Sequence, residues 1–341
     1  MSSNQRVGPV LCFGEVLLRL NPPVGSRLSD TSSMFALVGG AEANFAAALA
    51  QLGRSVEIAT VLPENALGDR CLRDLRGHGI GTAFVLRRPG RLGLYFLEHG
   101  AGARPSRIVY DRACSAFAEH ALHFDWAALA ATTACFHVSG ITLAVSASAA
   151  NAARAACVAM RHAGVPISFD ANHRASLWSG REEEAVATLR DMIDRADVVF
   201  ASPYDIGRAL GRDLPGDSGE ARRAAAEAAF EAFPQLSLIA STRRDMSSGG
   251  AQWLGARLDT RAEGFEADSV ALGGIIDRIG SGDAFAGALI DSHLRGDAPQ
   301  RSIRLSLAAA VLKHGVMGDQ WVGNREELEA FNPGVHQDVQ R

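Results

Sequence analysis

The sequence predicts an α/β fold in which a mainly parallel β-sheet is covered by helices on both faces. Apolar strand-like runs alternate along the chain with helix-like segments, a rhythm typical of strands joined by helical crossovers. Apolar residues make up 47% of the 341 residues, enough to bury the core of one large domain. Ligands bind such sheets beyond the carboxyl ends of the strands, so functional residues are expected in the loops there.

Hydrophobic periodicity places the individual elements. In the first half they are a strand over Val10–Leu20, a helix over Ala41–Leu52 closed by Gly53, a strand over Val56–Val61, a helix over Leu67–Arg76, and a buried strand over Cys135–Ser139 followed by a helix through about Arg161. In the second half they are a strand over Pro166–Asp170, an amphipathic helix over Arg181–Arg195, strands over Val198–Phe200 and Leu236–Ala240, and helices over Ala284–Leu294 and Ile303–His314.

Two stretches interrupt this alternation, Arg91–Glu98 (RLGLYFLE) and Arg107–Arg112 (RIVYDR), on either side of Gly100 and Gly102. They have the pattern of short strands inserted between α/β units. We therefore predict a small β-flap from segments near 17–38 and 91–112, within one domain over 8–331 and followed by a flexible polar tail over 332–341. An exposed flap edge can pair with a second copy, so a homodimer or higher homo-oligomer is an open expectation.

Charge and cysteine usage argue against several classes of function. The net charge of −4 gives no general attraction to nucleic acid or to an anionic membrane. The five scattered cysteines form no CxxC pair, which fits a reducing cytoplasm and argues against a disulfide framework or a structural zinc site. The N-terminal residues lack the apolar core of a signal peptide. The uncharged stretch 127–151 is rich in Ala, Ser and Thr, which favours a buried strand and packed helix over a membrane span.

Lys313 is the only lysine in the chain. A P-loop NTPase needs a lysine within GxxxxGK[ST] and a protein kinase needs one within VAIK, so both classes are excluded. Lys313 lies on the last long predicted helix. A catalytic role is conceivable there, and the favoured interpretation is a surface lysine whose aliphatic stem covers apolar neighbours.

The segment Gly280-Ser281-Gly282-Asp283 stands where a loop meets a helix. Helix-start amides have no intrahelical partner, and glycines let such a backbone approach an anion closely. A carboxylate at Asp283 could then accept a proton from an attacking hydroxyl. The alternative is simple capping of the helix by Ser281 or Asp283. A dinucleotide fingerprint is disfavoured, because Phe285 stands where its third glycine would be.

The longer string DRIGSGDAFAG resembles the second signature of the ribokinase-like, or PfkB, carbohydrate kinases, with its G-[AS]-G-D core. The string VGGAEANFAAALAQLG resembles their first signature, and the two occur in the family's order. The resemblance implies a ribokinase-like three-layer αβα fold with a β-flap lid. It further implies that Gly280, Ser281 and Gly282 hold the transferred phosphate while Asp283 is the catalytic base.

Four further strings resemble one branch of that family, the 2-keto-3-deoxygluconate kinases: FGEVLLRLNPP, SFDANHRASLW, GLYFLEHG with RIVYDRA, and LKHGVMGD. This implies ATP-dependent phosphorylation of a primary hydroxyl on a 2-keto-3-deoxy sugar acid. A fixed arginine suits the acid's carboxylate. By resemblance the substrate-binding residues are Gly39, Gly40, Asn44, Tyr95, Tyr110, Arg112, Arg174 and Asp319, and the nucleotide-binding residues are Asn172, Thr242 and Arg243. Alternatively, the arginines are solvated charges, the tyrosines flap core, and Asp319 a turn cap.

One segment departs from the family pattern. Where many members carry N-x-x-E near the phosphates, this chain has Ser202 and Asp205. No residues show metal-ligand spacing, so Mg²⁺ is expected to arrive with ATP, and a monovalent-cation requirement stays open. The rival hypotheses are a kinase for a neutral sugar such as fructose or ribose, and a catalytically weak kinase-like sensor of sugar acids.

Overall fold

A nine-stranded sheet forms the centre of the protein in a computed structural model that describes residues 6–100, 104–246 and 252–332. Its strands are β1 (Val10–Phe13), β4 (Val56–Pro63), β5 (Val85–Arg88), β8 (Cys135–Ser139), β9 (Ile167–Asp170), β10 (Val198–Phe200), β11 (Leu238–Met246), β12 (Gln252–Thr260) and β13 (Gly264–Leu272). Their spatial order is β13-β12-β11-β10-β9-β8-β1-β4-β5. Neighbours from β11 to β5 are parallel, whereas β12 and β13 extend the sheet antiparallel. The predicted mainly parallel sheet is confirmed.

A second, four-stranded sheet stands beside the first and is called the flap. Its strands are β2 (Leu17–Asn21), β3 (Phe35–Gly39), β6 (Leu94–Glu98) and β7 (Arg107–Asp111), in the order β3-β2-β6-β7. Both flap strands predicted from the interrupted alternation, β6 and β7, are present and pair antiparallel. Gly102 and the tail beyond residue 332 lie outside the described residues.

Helices cover both faces of the large sheet. They are α1 (Ala41–Gln51), α2 (Ala66–Gly77), α3 (Ala116–His120), α4 (Trp126–Thr132), α5 (Gly140–Val145), α6 (Ala147–His162), α7 (Glu182–Arg195), α8 (Pro203–Leu210), α9 (Gly219–Ala232), α10 (Ser281–Arg295), α11 (Pro299–Lys313) and α12 (Arg325–Ala330). Side-chain alternation along β1 shows the two layers: Leu11 and Phe13 pack against one set of helices, Val10 and Cys12 against the other. None of the described helices is long and apolar enough to cross a membrane.

Three predicted elements differ from the structure. The single strand over Val10–Leu20 is wrong, because the chain leaves the large sheet after β1 and enters the flap as β2. The single helix through Arg161 is also wrong. It is broken at Ser146, whose Oγ accepts a hydrogen bond from the Ala149 amide and so begins α6 as a separate helix. The strand over Leu236–Ala240 is too short, since β12 pairs with β11 as far as Met246.

Candidate active site

A cavity of about 590 Å³ opens between the carboxyl ends of the parallel strands and the flap. Its lining comes from the start of α1, from the loops that follow β9 and β10, from the flap, and from the loop that leads into α10. This is where ligands bind in open parallel sheets. The cavity therefore gathers segments that lie far apart in the sequence.

The start of α10 forms one wall of this cavity. Gly280 is the N-cap residue, and no side chain caps the helix. The interpretation of Gly280–Asp283 as an ordinary side-chain cap is therefore wrong. Gly280, Ser281 and Gly282 all line the cavity, so backbone amides and the positive end of the helix dipole face its contents.

Gly280 is required by two features of its surroundings. Its φ of +81° lies in the left-handed region that other residues rarely adopt. A Cβ at this position would also lie 1.7 Å from the carbonyl oxygen of Asp319. The turn into α10 is thus packed directly against the segment that follows α11.

Asp283 reaches into the same wall from the first turn of α10. Its Oδ2 accepts a 2.7 Å hydrogen bond from Nδ2 of Asn44 on α1. Burial raises the pKa of Asp283 from 3.8 to about 7, while the bond from Asn44 and the charge of Arg174 oppose that rise. A carboxyl group with a pKa near neutrality suits a general base.

Asp170, at the end of β9, is a second perturbed carboxyl group in the cavity, and sequence reasoning gave it no role. Burial raises its pKa to about 8, and the charge of Asp283 adds to the rise. Its Oδ1 accepts a hydrogen bond from the amide of Asn172, which has a positive φ of 36°. The sequence could have indicated a role for Asp170, since this residue is the first of the D-x-N-x-R string that also contains Asn172 and Arg174.

Asn172 and Arg174 both line the cavity. Arg174 is exposed and, within the described part of the chain, makes no ion pair. Its Nη1 donates a 3.2 Å hydrogen bond to the carbonyl of His173. The guanidinium is therefore available to an anionic ligand.

Arg112 lines the cavity from the flap side but has a protein partner. Its Nε and Nη2 lie 2.7 and 2.5 Å from Oε2 of Glu15, and both side chains are buried. The Arg112 guanidinium lies 5.9 Å from the centroid of the Tyr110 ring, which also lines the cavity. The charge of Arg112 is thus already balanced before any substrate binds.

Tyr95 and Asp319 meet at the base of the flap. The Tyr95 hydroxyl donates a 2.5 Å hydrogen bond to Oδ2 of Asp319, and both residues are buried and line the cavity. Gly40 and Asn44 line it as well, whereas Gly39 does not. A Cβ on Gly39 would lie 2.1 Å from Oδ2 of Asp319, so this glycine makes room for the carboxylate.

These observations accompany a match to a known family: residues 9–322 match the pfkB family carbohydrate kinase. The chain belongs to this family. A relative from Haloferax volcanii named 2-dehydro-3-deoxygalactonokinase is 30% identical over 332 residues, which cover 97% of this chain and 99% of that one. A 2-dehydro-3-deoxygluconokinase from Thermoproteus tenax is 28% identical, over 91% of this chain and 89% of that one.

Solved structures agree with that assignment. The crystal structure of a 2-dehydro-3-deoxygluconokinase from Thermotoga maritima superposes with a TM-score of 0.89 at 36% identity. The superposition covers 95% of this chain and 98% of that chain. The predicted ribokinase-like fold and the membership in the PfkB family are confirmed.

The segment in which this pfkB family kinase departs from the N-x-x-E pattern forms the start of α8. Oγ of Ser202 accepts a hydrogen bond from the amide of Asp205, and Oδ2 of Asp205 accepts bonds from the amide and hydroxyl of Ser202. This reciprocal pair is a capping box. Both residues also line the cavity, so the Asp205 carboxylate is shared between helix and site.

A second cavity of about 370 Å³ adjoins this segment of the kinase. Thr242 lines both cavities, and Arg243 lines the second one only. Nε of Arg243 lies 2.7 Å from Oδ2 of Asp245. Two of the three residues expected near the nucleotide, Thr242 and Arg243, therefore line the second cavity. No cluster of three or more His, Cys, Asp or Glu residues able to hold a metal occurs among the described residues.

A buried ionic network behind α10 was missed by sequence reasoning. Nη1 of Arg19 lies 2.5 Å from Oδ2 of Asp277 and 2.9 Å from Oδ1 of Asp319, and all three side chains are buried. The surface interpretation of Lys313 is wrong, since its side chain is fully buried beside this network. Its position at the end of α11 follows the helical pattern, but the sequence does not show that the loop before α10 covers it.

Proposed function

We propose that this pfkB family kinase transfers the γ-phosphoryl group of ATP to a primary hydroxyl of a 2-keto-3-deoxy sugar acid. The observation that carries the proposal is the position of Arg174. This guanidinium is exposed in the cavity, makes no ion pair among the described residues, and acts on the pKa of Asp283. A fixed cation close to the base suits a substrate that carries a carboxylate.

The relatives support the same substrate class. Those from Haloferax volcanii and Thermoproteus tenax, and the solved structure from Thermotoga maritima, are all named as kinases of 2-dehydro-3-deoxy sugar acids. In our assignment Tyr95, Tyr110 and Asp319 contact the sugar, together with Gly40 and Asn44 at the start of α1. Gly39 acts indirectly, through the space that it leaves for Asp319.

In the reaction, ionised Asp283 accepts the proton of the substrate hydroxyl as its oxygen attacks the γ-phosphorus. The bond from that phosphorus to the bridging oxygen breaks, and ADP leaves with the electron pair. Amides at Gly280, Ser281 and Gly282, with the dipole of α10, stabilise the charge on the transferring group. Magnesium bound with ATP would neutralise part of the phosphate charge, and Asp170 and Asp205 are the cavity carboxylates that could contact it.

We assign the nucleotide to the second cavity and to the neighbouring part of the first, near the start of α8. Asn172 faces the phosphates from the loop after β9, while Thr242 and Arg243 line the adjoining cavity. Release of Arg243 from Asp245 would make it available to a phosphate.

The test is ADP release by the purified protein with ATP and Mg²⁺, supplied with 2-keto-3-deoxygluconate, its galacto epimer, fructose or ribose. Turnover confined to the keto-deoxy acids is expected. Turnover with the neutral sugars alone would contradict the role of Arg174 and leave that of Asp283 standing.

A neutral-sugar kinase is the second candidate, and one observation favours it. Glu15 neutralises Arg112, which leaves the cavity with fewer unpaired cationic side chains than the sequence implies.

A sensor without turnover is the third candidate, since the capping box occupies Oδ2 of Asp205. Sugar binding with no ADP release would select the sensor.

We further propose a cytoplasmic homodimer. The cysteines Cys12, Cys71, Cys114, Cys135 and Cys157 are all free, as in a reducing compartment. The flap has two outer strands, and exposed apolar side chains lie at Phe35 on β3 and at Ile108 and Val109 on β7. Light scattering on the purified protein should give twice the chain mass, and a monomer at all concentrations would reject the dimer.

A further inference from the structure

Lys313 is a buried cation held by backbone carbonyl groups. Its side chain is fully buried, and Nζ donates to the carbonyl oxygens of Val316 at 3.0 Å and Asp277 at 3.5 Å. Within the described ranges Lys313 makes no ion pair with a carboxylate. A buried charge is costly unless something in the site requires it, so this unpaired lysine calls for a functional account.

The two carbonyl groups belong to the loop that leads into α10 and to the segment after α11, which packs against Gly280. Asp277 opens the loop that leads to Gly280, and Val316 precedes Asp319. These segments are also joined by backbone bonds, since the amides of residues 276 and 277 donate to the carbonyl of His314 at 2.8 and 3.1 Å. Lys313 therefore bridges the loop before α10 to the segment after α11.

The charge of Lys313 balances carboxylates that Arg19 alone does not. Asp277 and Asp319 share Arg19 as their ion-pair partner. Burial lowers the pKa of Lys313, whereas Asp277, Asp319 and Asp283 each act to raise it. Removing the ammonium would leave Asp277 and Asp319 with Arg19 as their one ion-pair partner among the described residues, behind the turn into α10.

We propose that Lys313 is a positioning residue for phosphoryl transfer. Its ammonium fills a cation site lined by the carbonyls of Asp277 and Val316, behind the loop Asp277–Gly280 that leads into α10. Rings of backbone carbonyls bind K⁺ in the filters of potassium channels, and in our proposal the lysine ammonium takes the place that a monovalent ion from solution would take. The protein is then independent of added monovalent cations. This inference rests on the proposed phosphoryl transfer at Gly280–Asp283.

The first experiment uses the unaltered protein. ADP release with its sugar substrate is measured in potassium, sodium and choline salts at equal ionic strength. The expected result is equal turnover in all three, because choline is too large for a carbonyl-lined site while the lysine already fills it. An active enzyme that requires potassium overturns the role of Lys313 alone. An unaltered protein that phosphorylates no sugar overturns this role and the proposed function together.

The second experiment compares Lys313→Ala with Lys313→Met. Both should lower kcat by about ten- to a hundredfold, since the anion-binding amides lose their positioning, while KM for the sugar changes little. Ammonium or potassium salts should restore turnover to Lys313→Ala, where truncation leaves room for an ion. They should not restore Lys313→Met, whose side chain fills the space.

Thermal unfolding separates this role from a structural one. A buried charge without an ion-pair partner is costly, and Lys313→Met removes that charge while filling a similar volume. This variant should therefore keep its Tm while losing turnover. Either variant turning over at the unaltered rate contradicts the proposal. So does a folded Lys313→Ala that is impaired but insensitive to every cation. If both variants fail to fold, the salt comparison on the unaltered protein decides whether Lys313 takes the place of a monovalent cation.

Discussion

The side-chain amide of Asn44 on α1 donates a 2.7 Å hydrogen bond to the carboxylate of Asp283 on α10. The two residues stand 239 positions apart in the chain and belong to the two different signatures of the pfkB family. The bond orients the proposed base and favours its ionised form, whereas burial favours the protonated form. Asn44 is therefore placed to influence the pKa of the proposed base, and it also lines the cavity.

Replacement of Asp283 by Asn should abolish turnover and spare the fold. Loss of a general base costs about 10² to 10⁴ in kcat. Because burial raises the pKa of Asp283 from 3.8 to about 7, the unfolded chain loses this proton first. The ionised group therefore lowers stability as pH rises through that window, and the neutral amide avoids the loss. Steady-state kinetics and thermal unfolding at neutral pH check this; near-normal turnover would refute the assignment of the base.

The pH dependence of kcat/KM should report the same carboxyl group. Since the base acts only when ionised, activity should fall as pH is lowered through about 7, the value to which burial raises the pKa of Asp283. Asn44→Ala removes a donor that stabilises the ionised form, so its acidic limb should move to higher pH. Profiles of the two proteins on one substrate provide the test. Superimposable limbs would mean that Asn44 does not tune the base.

Arg174→Met and Arg112→Met form a matched pair of cavity arginines with different expected outcomes. Arg174 makes no ion pair among the described residues, so its loss should raise KM for an acidic sugar without changing Tm. Arg112 is bound to buried Glu15, and breaking such a pair costs about 3–5 kcal/mol of the free energy of unfolding. Kinetics and calorimetry on both variants separate the roles. An equal rise in KM for neutral sugars in Arg174→Met would remove its link to the substrate carboxylate.

Gly280→Ala and Gly282→Ala should separate packing from anion binding. At Gly280 a methyl group meets the Asp319 carbonyl and a strained φ, so both Tm and turnover should fall. At Gly282 a Cβ would meet nothing within 4 Å, so the fold should be unaffected. A selective loss of turnover in Gly282→Ala would then show that the phosphate passes close to this backbone. An undiminished Tm in Gly280→Ala would contradict the packing argument.

Most strands of the large sheet and two contacting site residues could be predicted from the sequence, because the patterns that indicate them are local. Strand and helix periodicity placed most of the large sheet, and the interrupted stretches placed β6 and β7 of the flap. The glycine-rich turn before Asp283 and the asparagine of the first signature identified two residues that the fold brings into contact. Such patterns can be recognised from the sequence alone, since helix starts and strand alternation depend on neighbours along the chain.

Tertiary structure decided which charges are free and which are already paired. The sequence predicts the same substrate-binding role for Arg112 and Arg174, but the fold places Glu15 against Arg112. The helical pattern predicts a surface position for Lys313, but the fold covers it with the Asp277 loop and brings two carbonyl oxygens to its ammonium. Burial also raises the pKa values of Asp170 and Asp283, because desolvation depends on distant segments that close over them. Charge pairing and burial are long-range properties, and a linear pattern does not encode them.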